Sequence, residues 1–293
     1  MQAFGHLKQG GGRVDICFVA TGSGETPTPH IGIDGQPVLE FQPAVDLATG
    51  RLLGFEALLR WRHPERGLIP PNVLIPWAES NNHIVELNAW VLEEACRQAT
   101  RWPSAIQVAV NCSLVQLRQR QASAATALAL ARTGLNPDRL TVEITESAVA
   151  DDQANQDLRR LVSHGVHLAV DDVGTSWATL ENLRRFAIEI AKIDRSFISA
   201  LEPHEGMNRA IVEAIVHVSH SLAMSTVAEG VETAAQVTIL HELDADVAQG
   251  FFFAPPMSAE QALTLANTEP VVHFSLTAGT PQEALDPMAV PGS

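Results

Sequence analysis

The chain is short of cysteine, of positive charge and of long apolar runs. It has only three cysteines among its 293 residues, Cys17, Cys96 and Cys112. Their number is odd and no CxxC spacing occurs, so neither a disulfide framework nor a zinc site is expected, and a reducing cytosol fits better. Lysine and arginine number 19 against 34 acids, a formal net charge of −15. Such an acidic balance argues against a nucleic-acid-binding surface. No apolar run reaches the ~18 residues of a membrane span, so no membrane association is expected. The first residues do not have a signal-peptide layout. No GxGxxG or GxxxxGK[ST] is present, which removes the glycine-rich phosphate loops. The eleven histidines form no HxxxH or HxH pair, and they read as surface or satisfied positions.

What is present is a repeated event. Seven strand-like stretches carry a polar group at or near their ends: GFEAL with Glu56, VAVNCS with Asn111, LTVEITES with Glu143, LAVDDVG with Asp171 and Asp172, IEIAKID with Lys192, STVAEG with Glu229 and DVAQGF with Gln249. Helix-like stretches follow most of them. Repeated β/α alternation predicts a barrel, and such barrels place their chemistry at the C-terminal rim of the strands. VLEFQPAVDL (38–47), ATGR and LLGFEALLRW (52–61) read as a β-hairpin. The fold class is therefore α/β, a (β/α)8 TIM-like barrel with an antiparallel first strand. Residues 36–268 should form the barrel, 1–35 an extension without assigned role, and 269–293 a tail. The prolines at 64, 70, 71 and 76 read as a loop. Helices are expected over 84–101, 114–132, 151–165, 177–186, 206–222, 233–243 and 258–267.

Five carboxylates and one amide oxygen, from Glu56, Asn111, Glu143, Asp171, Asp172 and Glu229, cannot share a small rim without protons or cations. An all-oxygen donor set selects hard cations, Mg²⁺ or Mn²⁺. Adjacent acids at 171–172 suit two ions, which can activate water for an in-line displacement at phosphorus. Lys192 and Gln249 can position that water or offset charge on the phosphate.

The motifs FQPAVDL (41–47), GFEALLRWRHP (54–64), PNVLIPWAE (71–79), VNCS (110–113), EITES (143–147), DDVGT (171–175), KIDRSF (192–197), AEGVET (228–233) and QGFFFAPP (249–256) resemble the EAL domain family of cyclic di-GMP phosphodiesterases. The resemblance covers about residues 36–268. It implies metal-dependent hydrolysis of cyclic di-GMP to linear pGpG in the bacterial cytoplasm. It implies Glu56, Asn111, Glu143 and Asp171 as ligands of one metal, with Asp171, Asp172 and Glu229 around a second. Lys192 and Gln249 would attend the attacking water, so the catalytic set is Glu56, Lys192, Glu229 and Gln249. Gln42, Arg60 and Glu232 would contact the dinucleotide, and Glu146 would brace the loop after the paired acids. A homodimer is expected by analogy.

One segment departs from the family. Where the family usually shows Phe-Gly-Thr-Gly-Tyr-Ser-Ser-Leu, this chain has Val173, Gly174, Thr175, Ser176, Trp177, Ala178, Thr179 and Leu180. Serine adopts a left-handed backbone less readily than glycine. The alternative expectation is therefore a degenerate domain that binds cyclic di-GMP, or a protein, without turnover. A barrel acting on another phosphodiester is a third.

Overall fold

The structure is a computed structural model that describes residues 34–174, 183, 185–201 and 206–268. Nearly all of the N-terminal extension, all of the C-terminal tail and most of the 177–186 helix expectation lie outside the described residues.

The chain opens with the expected hairpin. Strand β1 (Gln36–Asp46) pairs antiparallel with β2 (Leu52–His63), with Gln42 opposite Glu56. A short β3 (Gly67–Ile69) pairs with the outer end of β2. Six parallel pairings then follow in sequence order from β2 through β4 (Gln107–Asn111), β5 (Leu140–Thr145), β6 (His167–Val173), β7 (Ile190–Ile193) and β8 (Ser225–Ala228) to β9 (Val247–Ala248). β9 returns to β1 in antiparallel register, Val45 opposite Ala248. Eight strands thus close into an α/β barrel, and β3 hangs on its rim.

The strand sequences explain the closure. β5 is buried along five of its six residues, because a parallel strand lined by the barrel interior on one face and helices on the other meets no water. In β1 and β2 one face carries Phe41, Phe55 and Trp61, all essentially inaccessible. Trp102 packs on this face, edge-on to Phe41 at 5.4 Å and tilted on Phe55 at 4.8 Å. The opposite face carries Glu40, Gln42, Glu56 and Arg60, since side chains alternate along a strand. Gly54 lets β4 approach: a Cβ there would lie 2.7 Å from the Gln107 carbonyl oxygen.

Helices α1 (Pro71–Ser80), α2 (Ile84–Ala99), α3 (Leu114–Arg118), α4 (Ala122–Thr133), α5 (Glu146–Val149), α6 (Asn155–Ser163), α7 (Arg195–Ser199), α8 (Gly206–Ser221), α9 (Ala234–Glu242) and α10 (Ala259–Asn267) complete the described residues. α9 and α10 each begin with a capping box, Thr233 with Gln236 and Ser258 with Gln261. Among the described residues, no helix is long and apolar enough to cross a membrane.

Two local expectations are corrected. The proline-rich stretch is not all loop, because α1 occupies Pro71–Ser80. Pro71 sits at a helix start, where its missing N–H costs nothing. Pro76 and Asn72, whose carbonyl would have paired with residue 76, both lie on the exposed side, while Leu74 and Ala78 are buried. The single helix expected at 114–132 is two, broken at Arg120, whose φ is 59°. Cys96 and Cys112 are free, buried thiols, each pushed up to about 12 chiefly by burial.

Candidate functional site

The strand ends bring Glu56, Asn111, Glu143, Asp171, Lys192, Glu229 and Gln249 together at one mouth of the barrel. Lys192 stands at the centre with 2 % of its side chain exposed. Its Nζ lies 2.6 Å from Glu229 Oε1, 2.8 Å from Glu143 Oε2, 3.4 Å from Glu56 Oε2 and 3.5 Å from Asp171 Oδ1. Glu56 also accepts from Asn111 Nδ2 at 2.8 Å and from Gln249 Nε2 at 2.6 Å. Beneath this layer a cavity of about 90 Å³ is walled largely by apolar residues, including Ala44, Val108, Ala169, Ile190 and Val227.

Not every group closes its strand as the sequence suggested. Glu56 lies mid-strand, and β2 runs on to His63 as the hairpin that overhangs the mouth. Glu143 is two residues short of the end of β5. Glu229 and Gln249 follow β8 and β9 directly. They are held by backbone bonds, Glu229 N–H to Ile193 O at 3.2 Å and Gln249 N–H to Ala228 O at 2.9 Å. Gly250 follows with φ 158°, and a Cβ there would lie 2.1 Å from Val231 O. The loop carrying Gln249 is thereby pressed against the loop carrying Glu229.

Consecutive residues of a regular strand point to opposite faces, so Asp171 and Asp172 need a special backbone to act together. β6 supplies it. The β6–β7 register shifts between Val170 and Val173, and Asp172 has φ 58°. This is a bulge at a barrel rim, and aspartate is among the few side chains that visit the left-handed region routinely. As a result, carboxylate oxygens of Asp171, Asp172 and Glu229 all lie within 4.8 Å of one another.

The electrostatics show too much negative charge for one ammonium. Burial opposes the charge on Lys192, but Glu143, Glu56, Glu229 and Asp171 outweigh it and hold the ammonium well above its usual range. Burial, then Glu56, pushes the Glu143 carboxyl well upward. Burial lifts Glu229 to about 7 despite the neighbouring lysine. Asp172 is pushed up to about 6 by burial, with Asp171 and Asp194 adding. For Glu56, burial is overcome by Lys192 and by the bonds from Gln249 and Asn111, leaving it below its ordinary value. Burial and the neighbouring carboxylates both disfavour ionisation of Glu143, Glu229 and Asp172, and an added positive charge would relieve this. The donors are all oxygen, so the residues fit a hard divalent cation.

Around this centre lie the other expected residues. Gln42 faces the mouth from β1, in register with Glu56. Arg60 lies further out on β2, its Nε donating to Glu40 Oε2 at 2.9 Å. Glu146 is buried and opens α5. Glu232 pairs with Arg195, Nη2 to Oε1 at 2.6 Å. Residues 175–179 of the departing loop lie outside the described residues.

Sequence reasoning missed three groups. Glu40 holds Arg60, and only the strand register reveals it. Asp194 caps α7 by accepting from Ser196 N–H at 3.0 Å, and its side chain also bonds Asp172. Arg195 lies within the KIDRSF motif, but its partner Glu232 is brought to it only by the fold. The alternation of KID followed by a Ser-containing turn was the available signal for the cap.

The geometry defines a barrel whose mouth gathers an acidic, cation-ready cluster about a buried lysine. Comparison with known proteins narrows this class: the EAL domain model matches residues 33–256, and the chain belongs to that family. The bifunctional diguanylate cyclase/cyclic di-GMP phosphodiesterase MucR of Pseudomonas aeruginosa is 42 % identical over 234 residues, covering 78 % of this chain and 34 % of that protein. An uncharacterized signaling protein of Caulobacter vibrioides is 41 % identical over 237 residues, covering 80 % of this chain and 29 % of the relative. Among solved structures, the cyclic di-GMP complex of the P. aeruginosa MucR phosphodiesterase is 40 % identical with a TM-score of 0.74, covering 77 % of this chain and 94 % of that one. The chain thus spans about a third of the length of the curated relatives it matches.

Proposed function

We propose that this domain hydrolyses cyclic di-GMP to linear pGpG with two divalent ions, Mg²⁺ or Mn²⁺. The observation that carries the proposal is the mouth itself: one buried ammonium amid four carboxylates, and the two acids of the β6 bulge within 4.8 Å of Glu229. Its family and the names of its relatives supply the substrate. Glu56, Asn111, Glu143 and Asp171 would hold one ion, and Asp171, Asp172 and Glu229 the other. When bound, such a pair supplies Lewis-acid stabilisation and a water acidic enough to react at neutral pH.

The chain's own residues do the rest. Lys192 donates a hydrogen bond to the attacking water and offsets phosphate charge, its ammonium kept protonated by the surrounding acids. Gln249 turns its amide toward the same water, anchored through Glu56. The water oxygen forms a bond to phosphorus, the bond to the 3′ oxygen breaks, and a proton ends on that oxygen. Arg60 offers its planar fork to a phosphate, Gln42 and Glu232 contact the dinucleotide, and Glu146 braces the loop beyond the paired acids. We place the reaction in the cytoplasm and expect a homodimer, as in the family.

The test is incubation with cyclic di-GMP and Mn²⁺ or Mg²⁺, with pGpG followed by chromatography. Metal-dependent product that disappears with EDTA is expected. Glu56→Ala should lower turnover by at least about a hundredfold with the fold intact, since it removes a ligand of the reacting centre. Full activity in that variant sinks the site assignment. The departure at residues 173–179 favours a second reading, a receptor. Calorimetric binding of cyclic di-GMP without product would select it.

A further inference from the structure

A hollow of about 570 Å³ opens between the α3–α4 turn and the start of α6, and it shares no lining residue with the acidic centre. Arg118, Arg120 and Arg159 line it. In a chain of net charge −15, three guanidinium groups round one hollow reverse the sign locally. Arg118 is clamped, since its Nε and Nη2 both donate to Asp151 Oδ2, at 2.9 and 2.7 Å. Asp151 Oδ1 accepts from the Gln153 and Ala154 N–H groups, at 2.8 and 3.0 Å, so both oxygens of this acid are engaged. Asp152, the acid in the wall itself, accepts from Asn155 Nδ2 at 3.0 Å. Arg120 and Arg159 are exposed, and among the described residues their guanidinium groups have no hydrogen bond or ion pair. The backbone under Arg120 points the same way. Helix α3 ends in a Schellman turn, with Gln121 N–H donating to Gln116 O at 3.1 Å and Arg120 N–H to Leu117 O at 3.0 Å. Arg120 takes φ 59° there, a position that glycine fills with least strain. An arginine weakens this turn relative to glycine, so folding alone does not account for it.

We infer that this groove binds a small anion carrying two or more phosphoryl groups, an inorganic or nucleoside polyphosphate. The planar guanidinium fork meets phosphoryl oxygens in pairs. Arg118, fixed by its clamp on Asp151, keeps Nη1 for one phosphoryl group, and Arg120 and Arg159 serve a second. The hollow is larger than one phosphate and falls in the usual size range of small-molecule sites. The remaining volume suits a nucleoside, with the amides of Gln153 and Gln156 in the wall as partners for its polar groups. The groove joins the segment that follows Asn111 on β4 to the segment that follows Glu143 on β5. Its occupant therefore ties together two stretches of chain that continue from the acidic centre. The inference stands whether the mouth turns over its dinucleotide or only holds it.

The test is calorimetric titration of the full chain, stripped of metal, with sodium pyrophosphate, with ATP and with inorganic phosphate. Without metal the mouth presents Asp171, Asp172 and Glu229 and does not attract such anions. Pyrophosphate should bind more tightly than phosphate. ATP binding at least as tightly as pyrophosphate assigns the groove to a nucleotide, and weaker binding assigns it to an inorganic polyphosphate. Arg120→Gly should weaken pyrophosphate binding roughly tenfold. The same change should raise the melting temperature by about 2–4 °C, because glycine relieves the left-handed backbone. Affinity lost while stability is gained separates a binding role from damage to the fold. Arg159→Gln should also weaken binding, with melting unchanged. Equal affinity for phosphate and pyrophosphate, no detectable binding of pyrophosphate or ATP, or affinities unchanged in both variants would each overturn the site.

Discussion

At the scale of the residue, Lys192 decides the character of the site. A single ammonium within 3.5 Å of four carboxylates holds together a cluster that would otherwise repel itself. Removing one partner of a buried ionic network leaves uncompensated charge, at a cost of about 3–5 kcal/mol. Lys192→Met should therefore lower the melting temperature of the metal-free protein at pH 8, where the remaining carboxyls are driven to ionise. Mn²⁺ should restore more of the loss than it adds to wild type, because it supplies positive charge to the same oxygens. Turnover should not return, since the hydrogen bond to the water is gone. Equal melting of variant and wild type without metal would show that the lysine does not hold the cluster. The sequence made this lysine and its carboxylates legible because each stands at or near the end of an apolar run. The Asp194 cap was legible in the KIDRS letters, whereas Glu40 and Arg195 were not, because they act through neighbours in space. Glu40 meets Arg60 only through the β1–β2 register, and Arg195 meets Glu232 only because β7 lies beside β8.

At the scale of the element, alternation and capping were readable and exceptions to alternation were not. The β-hairpin and the parallel strands follow from periodicity. The bulge that turns Asp171 and Asp172 to one side does not, since nothing in the letters DDV announces φ 58°. Helix α1 was hidden because its prolines sit where a helix tolerates them. The far end of the barrel has its own device. Asp246, just before β9, accepts through Oδ2 from Thr226 N–H at 2.8 Å, Thr226 Oγ1 at 2.8 Å and His220 Nε2 at 2.9 Å. It ties β8 and α8 to the start of the last strand. Burial raises its pKa, but the bonds from His220 and Thr226 outweigh that and hold it below the ordinary 3.8. A folded value below the unfolded one means a stabilisation fully present above pH 3.8 and lost as pH falls through the folded value. Asp246→Asn should cost about 1 kcal/mol at neutral pH, limited by partial exposure. Its stability should also fall less steeply than that of wild type below pH 4, as followed by urea unfolding at a series of pH values. Parallel curves would show that the carboxylate charge is not what joins these elements.

At the scale of the whole molecule, barrel closure and charge pull against each other. The antiparallel β1 joins β2 to β9 and draws residues from seven strands, more than 190 positions apart in the chain, to one mouth. The chain has a formal net charge of −15 and buries part of that charge at the mouth. Divalent ions that bind only the closed barrel should reverse this penalty. At a hundredfold excess over its dissociation constant, one ion stabilises the native state by about 2.7 kcal/mol. For a domain of this size that corresponds to a rise in melting temperature of about 5–10 °C. Screening by ordinary salt acts on exposed charges and leaves buried ones largely untouched. Mn²⁺ should therefore raise the melting temperature well beyond NaCl of equal ionic strength, and EDTA should remove the rise. The same addition to Asp171→Asn, which weakens the carboxylate shared between the two proposed ion positions, should give a smaller rise. If wild type and Asp171→Asn respond alike, and no more than to NaCl, the ions are neutralising the surface at large.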